Sequence, residues 1–338
     1  VVPVEPAGAV LEDHAVAVRE GRIEAVLPAG AAAAAYPGYE TLDLPGHVLI
    51  PGLVNAHTHA AMCLMRGMSD DLPLMRWLQE HIWPAEQKHV SPDFVRDGTL
   101  LACAEMLRGG VTCFNDMYFF PEASLEAAAA ARMRSAQGII TIEFPSAYAS
   151  DAADYLARGL AVRDRWRDEP LASFCLAPHA PYTVSDASFR RIAALAAELD
   201  LPVHVHLHET ADEVERSVAE HGVRPIERFR RLGLLGPGLI AVHAVHLEPA
   251  EIELLARHGC SVAHCPSSNL KLASGFSPVN DLLEKGVNVA IGTDGAASNN
   301  RLDMFQEMRT AALLAKAVAR DAEAMPAHVA LHAATLGG

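Results

Sequence analysis

From residue 48 onward, short apolar runs alternate with longer stretches in which apolar residues recur every three to four positions. The runs fall at 48–56, 111–116, 138–143, 172–178, 202–208, 239–243, 260–265 and 287–292. Each is mostly apolar throughout, the pattern of a parallel strand covered on both faces. Helical patterns lie between them at 91–108, 121–134, 151–167, 185–199, 211–232, 248–258, 278–285 and 303–319. Ser91-Pro92 and Ser185-Asp186 read as helix starts, since such side chains cap free N–H groups and proline suits a first turn. Gly110, Gly233, Gly259 and Gly286 stand where helices should stop. Strand–helix alternation on this scale predicts an α/β fold, a (β/α)8 TIM-type barrel. A doubly wound open sheet is the alternative. It would usually carry a glycine-rich phosphate loop after its first strand, and the first strand here ends in Asn55-Ala-His-Thr-His59.

Residues 1–47 read differently. Short β-like pieces at 15–18 and 22–26 are broken by Gly, Pro and an alanine run. They predict a small β unit, giving a division into 1–47 and a barrel over 48–338.

Composition narrows the partners. The 338 residues carry 27 Lys+Arg against 42 Asp+Glu, a formal charge of -15, with 51% hydrophobic residues. That balance suits a packed globular chain. Nucleic-acid polymers demand a basic surface, but lysine occurs only at 88, 271, 285 and 316 and no basic run exists. No apolar stretch reaches the roughly 18–20 residues that a membrane helix needs. No signal peptide is visible at the N-terminus. The six cysteines form no C-x-x-C pair and read as buried free thiols of a cytoplasmic protein. The expected partner is a small-molecule substrate, with a homo-oligomer compatible with the sequence.

The histidines bring in the chemistry. Many of the 17 fall at the C-terminal ends of the predicted strands, the edge where barrel active sites are built. His57 and His59 end the first strand and, two apart, point the same way. The fifth strand carries His204, His206 and His208, followed by Glu209. Alternation puts all three histidines on one side, with His206 best placed for a metal and His204 deeper. A hydrogen-bonded ladder of histidines is the plainer reading of that strand. The sixth strand ends in His243, with His246 beyond it; the fourth ends at His179; the seventh carries His264. The eighth ends in Thr293-Asp294, and a buried strand terminating in Asp is costly unless the carboxylate is paired or binds a cation. The set predicts one catalytic metal site. Imidazoles plus one carboxylate suit Zn2+, with Fe2+ as the rival.

With these motifs in view, the chain resembles the amidohydrolase superfamily, through Pro51-Gly-Leu-Val-Asn-Ala-His-Thr-His59, His206-Leu-His-Glu-Thr210, His243 and Gly292-Thr-Asp294-Gly. Within it the chain is similar to the 5′-methylthioadenosine/S-adenosylhomocysteine deaminases and the related triazine hydrolases, through Ala177-Pro-His-Ala-Pro-Tyr-Thr183 and the stretches 264–275 and 292–299. The resemblance implies one metal per chain on His57, His59, His206 and Asp294. It implies hydrolytic deamination of an adenosine-type ring, with His243 and Asp294 handling the protons of water and Glu209 protonating a ring nitrogen. His179 and Glu86 are the implied substrate-binding residues, Glu86 towards ribose hydroxyls. Relatives also use an arginine near 145–160; Arg158 and Arg163 are the candidates by position. Glu143, in the third strand, is the one acid that a second metal would call on. The Met- and Trp-rich segment 62–82 is expected to pack over a purine or thioether, or to be plain core. The resemblance also implies that residues 1–47 form the N-terminal part of a small β-sandwich. Its C-terminal part is expected to be missing, because the chain stops at 338. The competing functions are an amidohydrolase acting on another ring, such as a triazine or a guanine-like base, and a non-catalytic barrel scaffold.

Overall fold

The computed structural model describes residues 1–338, which divide into two compact units, Val1–Gly52 and Leu53–Gly338. In the first unit β1 (His14–Arg19) and β2 (Arg22–Pro28) pair antiparallel. Their turn holds Glu20 at φ 50° and Gly21 at φ 75°, the two left-handed positions of a tight hairpin that follows the strand twist. The alanine run becomes a helix, Ala29–Ala35, as the strongest helix former should.

The second unit contains β3 (Leu53–Thr58), β4 (Val111–Asp116), β5 (Arg134–Thr141) and β6 (Ala172–Pro178). It continues with β7 (Val203–Leu207), β8 (Leu239–His243), β9 (Ser261–His264) and β10 (Asn288–Ile291). Neighbours in the sheet follow chain order from β3 to β10, and every pair is parallel. The ends meet: Asp294 N–H donates to His57 C=O at 3.0 Å, and Thr293 N–H to Asn55 Oδ1 at 2.9 Å. The approach requires Gly292, where a Cβ would lie 2.8 Å from the His57 nitrogen. This is the expected TIM-type barrel.

Two expectations need correction. The first barrel strand starts at Leu53 rather than 48, so the unit boundary follows Gly52; Pro51 has no N–H to give a ladder. The single helix expected over 211–232 is two, Ala211–His221 and Pro225–Arg231. Gly222 ends the first at φ 72°, and Pro225 suits the first turn of the second.

The other helices follow their end signals. Ser91 Oγ accepts the Phe94 N–H at 3.2 Å to open Pro92–Arg108, and Ser185 Oγ accepts from Ser188 to open Asp186–Leu199. Residues 74–89, which show no clean period, are also helical, with a wide π turn over Trp77–Ile82. Such turns recur at functional sites. Here the turn carries Trp77, Leu78 and Ile82 to the wall of the cleft above the barrel. No helix is long and apolar enough to cross a membrane.

Candidate metal centre and active-site cleft

The C-terminal ends of β3, β7, β8 and β10 bring together residues far apart in sequence. His59 Nε2 lies 3.2 Å and His57 Nε2 3.3 Å from Asp294 Oδ1. His206 Nε2 lies 3.2 Å from His57 Nε2. Two overlapping groups of donor atoms result, His57/His59/Asp294 and His57/His206/His243, each within 4.8 Å. All five side chains are buried or nearly so.

Hydrogen bonds on the outer ring nitrogens decide which atoms face inward. His59 Nδ1–H donates to Met117 C=O at 2.6 Å, and His206 Nδ1–H to His179 C=O at 2.8 Å. Carbonyls only accept, so both rings carry a proton on Nδ1 and turn Nε2 to the centre. His57 Nδ1 contacts His204 Nε2 at 2.7 Å, which makes His204 the support beneath His57. Asp294 is fixed from three sides. Ser268 Oγ and Ser298 Oγ donate to Oδ2 at 2.6 and 2.8 Å, and Gly295 N–H donates to Oδ1 at 2.8 Å. Three inward ring nitrogens and a carboxylate oxygen thus stand at about hydrogen-bond range of one another, a donor set that suits a divalent cation.

The electrostatics agree. Burial pulls His57 down to about 4 and puts His206 well below its usual range, leaving both imidazoles neutral, as ligation requires. His59 differs: burial would lower it, but the hydrogen bond and charge of Asp294 outweigh it and raise the ring to about 9, so its Nε2 holds a proton against Asp294 that a bound cation would displace. Burial opposes ionisation of Asp294, yet the His57 and His59 contacts hold it well below the ordinary carboxylate range.

Backbone strain sits at the same strand ends. His208, His243 and Asp294 have φ of 56°, 72° and 61°, left-handed values that non-glycine residues seldom adopt. At His243 the bend turns Nε2 towards Glu209 Oε2, 3.7 Å away, while Nδ1–H donates to Asn269 Oδ1 at 2.8 Å. At His208 it breaks the expected alternation. That ring turns away from the cluster, donating to His246 C=O at 2.9 Å and accepting the Ile226 N–H at 3.1 Å. His246 likewise turns to Ser274 C=O, and His264 is buried outside both donor groups.

Above the centre lies a cleft walled largely by apolar and aromatic side chains, the usual character of a small-molecule site. Glu86, His179, Glu209 and His243 line it beside the donor cluster. Burial raises Glu209 above the usual carboxylate range and Glu86 to about 7, the latter opposed by a hydrogen bond with Tyr118. Burial also lowers His179 to about 3. Its Nδ1–H donates to Thr183 Oγ1 at 2.9 Å, since that hydroxyl gives its own proton to Ala180 C=O. Nε2 of His179 is therefore left as an acceptor. Segment 62–82 does supply wall residues, among them Met62, Leu74 and Trp77.

Other candidates go elsewhere. Arg158 pairs with Asp154 at 2.8 Å and Arg163 with Asp164 at 3.1 Å; neither lines the cleft. Glu143 Oε1 accepts the Ser185 N–H at 2.9 Å. The residues not singled out from sequence are the supports Ser268, Asn269, Ser298 and Glu213. The first three lie inside the quoted stretches 264–275 and 292–299, so the signal was present without a role attached.

Comparison with known proteins places these features in company. The profile of the "Amidohydrolase family" matches residues 48–338. The 5-methylthioadenosine/S-adenosylhomocysteine deaminase of Saccharophagus degradans is 49% identical over 336 residues, covering 99% of this chain and 75% of that protein. The protein of the same name from Teredinibacter turnerae is 48% identical, covering 100% and 76%. A crystal structure of an adenosine deaminase from Xanthomonas campestris with bound zinc superposes with a TM-score of 0.93 at 55% identity, covering 99% of this chain and 76% of that one. Atrazine chlorohydrolase from Arthrobacter aurescens, at 24% identity and a TM-score of 0.88, shares the fold.

Proposed function

The chain belongs to the amidohydrolase family, and from that premise we propose that it is a zinc-dependent hydrolytic deaminase of adenosine-type nucleosides. The substrate class is that named for its relatives, 5′-methylthioadenosine and S-adenosylhomocysteine. One observation carries the reading: His57 and His59 turn Nε2 to Asp294 Oδ1, and His206 turns its own to His57 Nε2, beside an acid–base pair, Glu209 and His243, on the floor of an apolar cleft.

His57, His59, His206 and Asp294 would hold the metal; His243 lies close enough to be a further donor. When bound, Zn2+ supplies Lewis-acid charge that lowers the pKa of water to about 7. The protein's own groups move the protons. His243 keeps its Nδ1–H on Asn269, so Nε2 is free to take a proton from the attacking water. Asp294, held ionised, is the second acceptor. Glu209, raised by burial, keeps its proton longer and delivers it to a ring nitrogen as water adds to the neighbouring carbon. The carbon–nitrogen bond then breaks, and ammonia leaves with a proton returned from the acid–base pair. Water and aminopurine are consumed; ammonia and the oxo-purine are formed. His179 Nε2, an acceptor, suits a substrate N–H, and Glu86 suits the ribose hydroxyls.

The test is metal analysis of the purified protein alongside ammonia release and ultraviolet absorbance on a purine nucleoside panel. About one zinc per chain and turnover of 5′-methylthioadenosine are expected. Inertness towards the whole panel with metal bound would overturn the proposal.

A further inference from the structure

We propose that Arg228 is a positioning residue for the deamination reaction: from outside the cleft, its guanidinium fixes the loop 179–186 that carries His179 and Tyr182 to the cleft wall. This rests on the deaminase reading above, which gives His179 its contact with substrate.

The loop has little to hold it by itself. It follows β6 and opens the helix Asp186–Leu199, and Pro181 within it has no N–H to give. Its own fastenings lie near its two ends and in one tight turn. His179 N–H donates to Thr141 C=O at 3.1 Å, and Thr183 N–H to Ala180 C=O at 3.1 Å. Glu143 N–H donates to Thr183 C=O at 3.1 Å, and Ser185 N–H to Glu143 Oε1 at 2.9 Å. These bonds leave out the carbonyls of Pro181 and Val184, both buried residues, and a buried carbonyl without a donor is costly.

Arg228 supplies the missing donors. It stands on the helix Pro225–Arg231, beyond β7, and is only 4% exposed. Nη1 donates to Pro181 C=O at 2.7 Å, Nη2 to Val184 C=O at 3.1 Å and Nε to Asp186 Oδ1 at 2.8 Å. The guanidinium also lies over the ring of Phe189, 5.2 Å from its centroid. One planar fork thus grips the loop at three points, which the point charge of a lysine ammonium cannot span. Arg228 does not line the cleft, but His179 and Tyr182, on either side of Pro181, do. Their rings meet edge to face with centroids 6.1 Å apart.

The same short helix reaches the acid. Ile226 N–H donates to His208 Nε2 at 3.1 Å, and His208 directly precedes Glu209. The helix therefore braces both the substrate loop and the bend that aims Glu209. The metal side is held separately. His206 Nδ1–H is fixed by His179 C=O at the root of the loop, where His179 N–H is tied to the end of β5. Loosening the loop beyond that root should weaken substrate binding and spare the metal.

The experiment measures kcat, KM, zinc content and melting temperature for Arg228→Ala and Arg228→Lys with 5′-methylthioadenosine. Leu255→Ala is the control, a truncation of a fully buried side chain on the helix Pro249–His258. Both Arg228 variants should keep their zinc and a kcat within about threefold of wild type. Their KM should rise on the order of tenfold, the worth of about one substrate hydrogen bond. Leu255→Ala should melt lower with KM unmoved. Arg228→Lys keeps the charge and is the variant read should the truncation not fold. An unchanged KM would overturn the proposal, as would a Lys variant with wild-type KM, since charge alone would then suffice. Loss of zinc would overturn it, and so would an equal rise of KM in Leu255→Ala, because destabilisation alone would account for the effect. Failure of both Arg228 variants to fold would overturn it as well, the residue then serving the fold. None of these outcomes touches the deaminase reading; a wild type inert towards the nucleoside panel would overturn that reading and this proposal with it.

Discussion

Glu213 Oε2 accepts the backbone N–H of Glu209 at 2.9 Å, while its Oε1 accepts the N–H of His208 at 2.8 Å. One buried carboxyl thus satisfies both donors at the left-handed bend that aims Glu209 into the cleft. Thr210 caps the same helix by accepting the Glu213 N–H at 3.2 Å, which ties bend and helix together. Replacing Glu213 with Ala should cost about 1–3 kcal/mol of stability through the orphaned donors. It should also lower kcat more than it changes KM, because the displaced group, Glu209, is the acid we propose for the reaction. Thermal melting and steady-state kinetics read the two effects.

The same residue should shape stability against pH. Burial raises Glu213 from 4.5 to about 8. Between those values the folded state holds a proton that the unfolded chain releases, so this group's contribution falls as pH rises. Glu213→Gln removes the titration. Melting temperatures of the Gln variant should therefore vary less with pH from 4.5 to about 8 than those of the wild type; an identical slope would show that another group sets it.

Asn269 fixes the tautomer of His243 through a 2.8 Å contact. With Asn269→Ala the imidazole can place its proton on either nitrogen, and only one form leaves Nε2 able to accept. Loss of such an orienting partner typically costs about 10–100-fold. The loss should appear in kcat, with bound zinc unchanged by elemental analysis.

Ser268 and Ser298 hold Asp294 by Oδ2, which leaves Oδ1 directed at His57 and His59. The double Ala variant frees the carboxylate to rotate. Metal affinity, measured by competition with a chelator, should drop by about 10–100-fold. Stripping metal from the wild type should abolish deamination and lower the melting temperature, since a ligand of the folded state stabilises by mass action.

The gathering of His57, His59, His206, His243 and Asp294 at one end of the barrel was legible from sequence because these residues ride on strand ends. Every barrel strand overlaps an apolar run, and β6 and β8 match theirs throughout. In this architecture, strand termini fix where side chains gather. What alternation could not show was the bend. Alternation put His208 on the same side as His206, yet a change of backbone sign after Leu207 turns it outward. The supports were hidden for another reason. Asn269 and Ser268 sit on the short helix Pro266–Lys271 after β9, and nothing in its local pattern tells that it folds over two neighbouring strands. The helical stretch 74–89 was missed because its π turn breaks the 3.6-residue period.

Glu209 gives the sharpest division between binding and chemistry. It lies outside both donor groups, 3.7 Å from His243 Nε2, and burial holds its proton above the ordinary carboxylate range. Glu209→Gln keeps the volume and removes the transferable proton. Zinc content should be unchanged, while kcat should fall by about 10²–10⁴-fold, the usual worth of a positioned acid–base group. The wild type should lose rate as pH rises through the raised pKa of Glu209, because the acid is then spent before substrate arrives. The Gln variant should lack that alkaline limb. A variant that lost zinc together with activity would instead assign Glu209 to the metal.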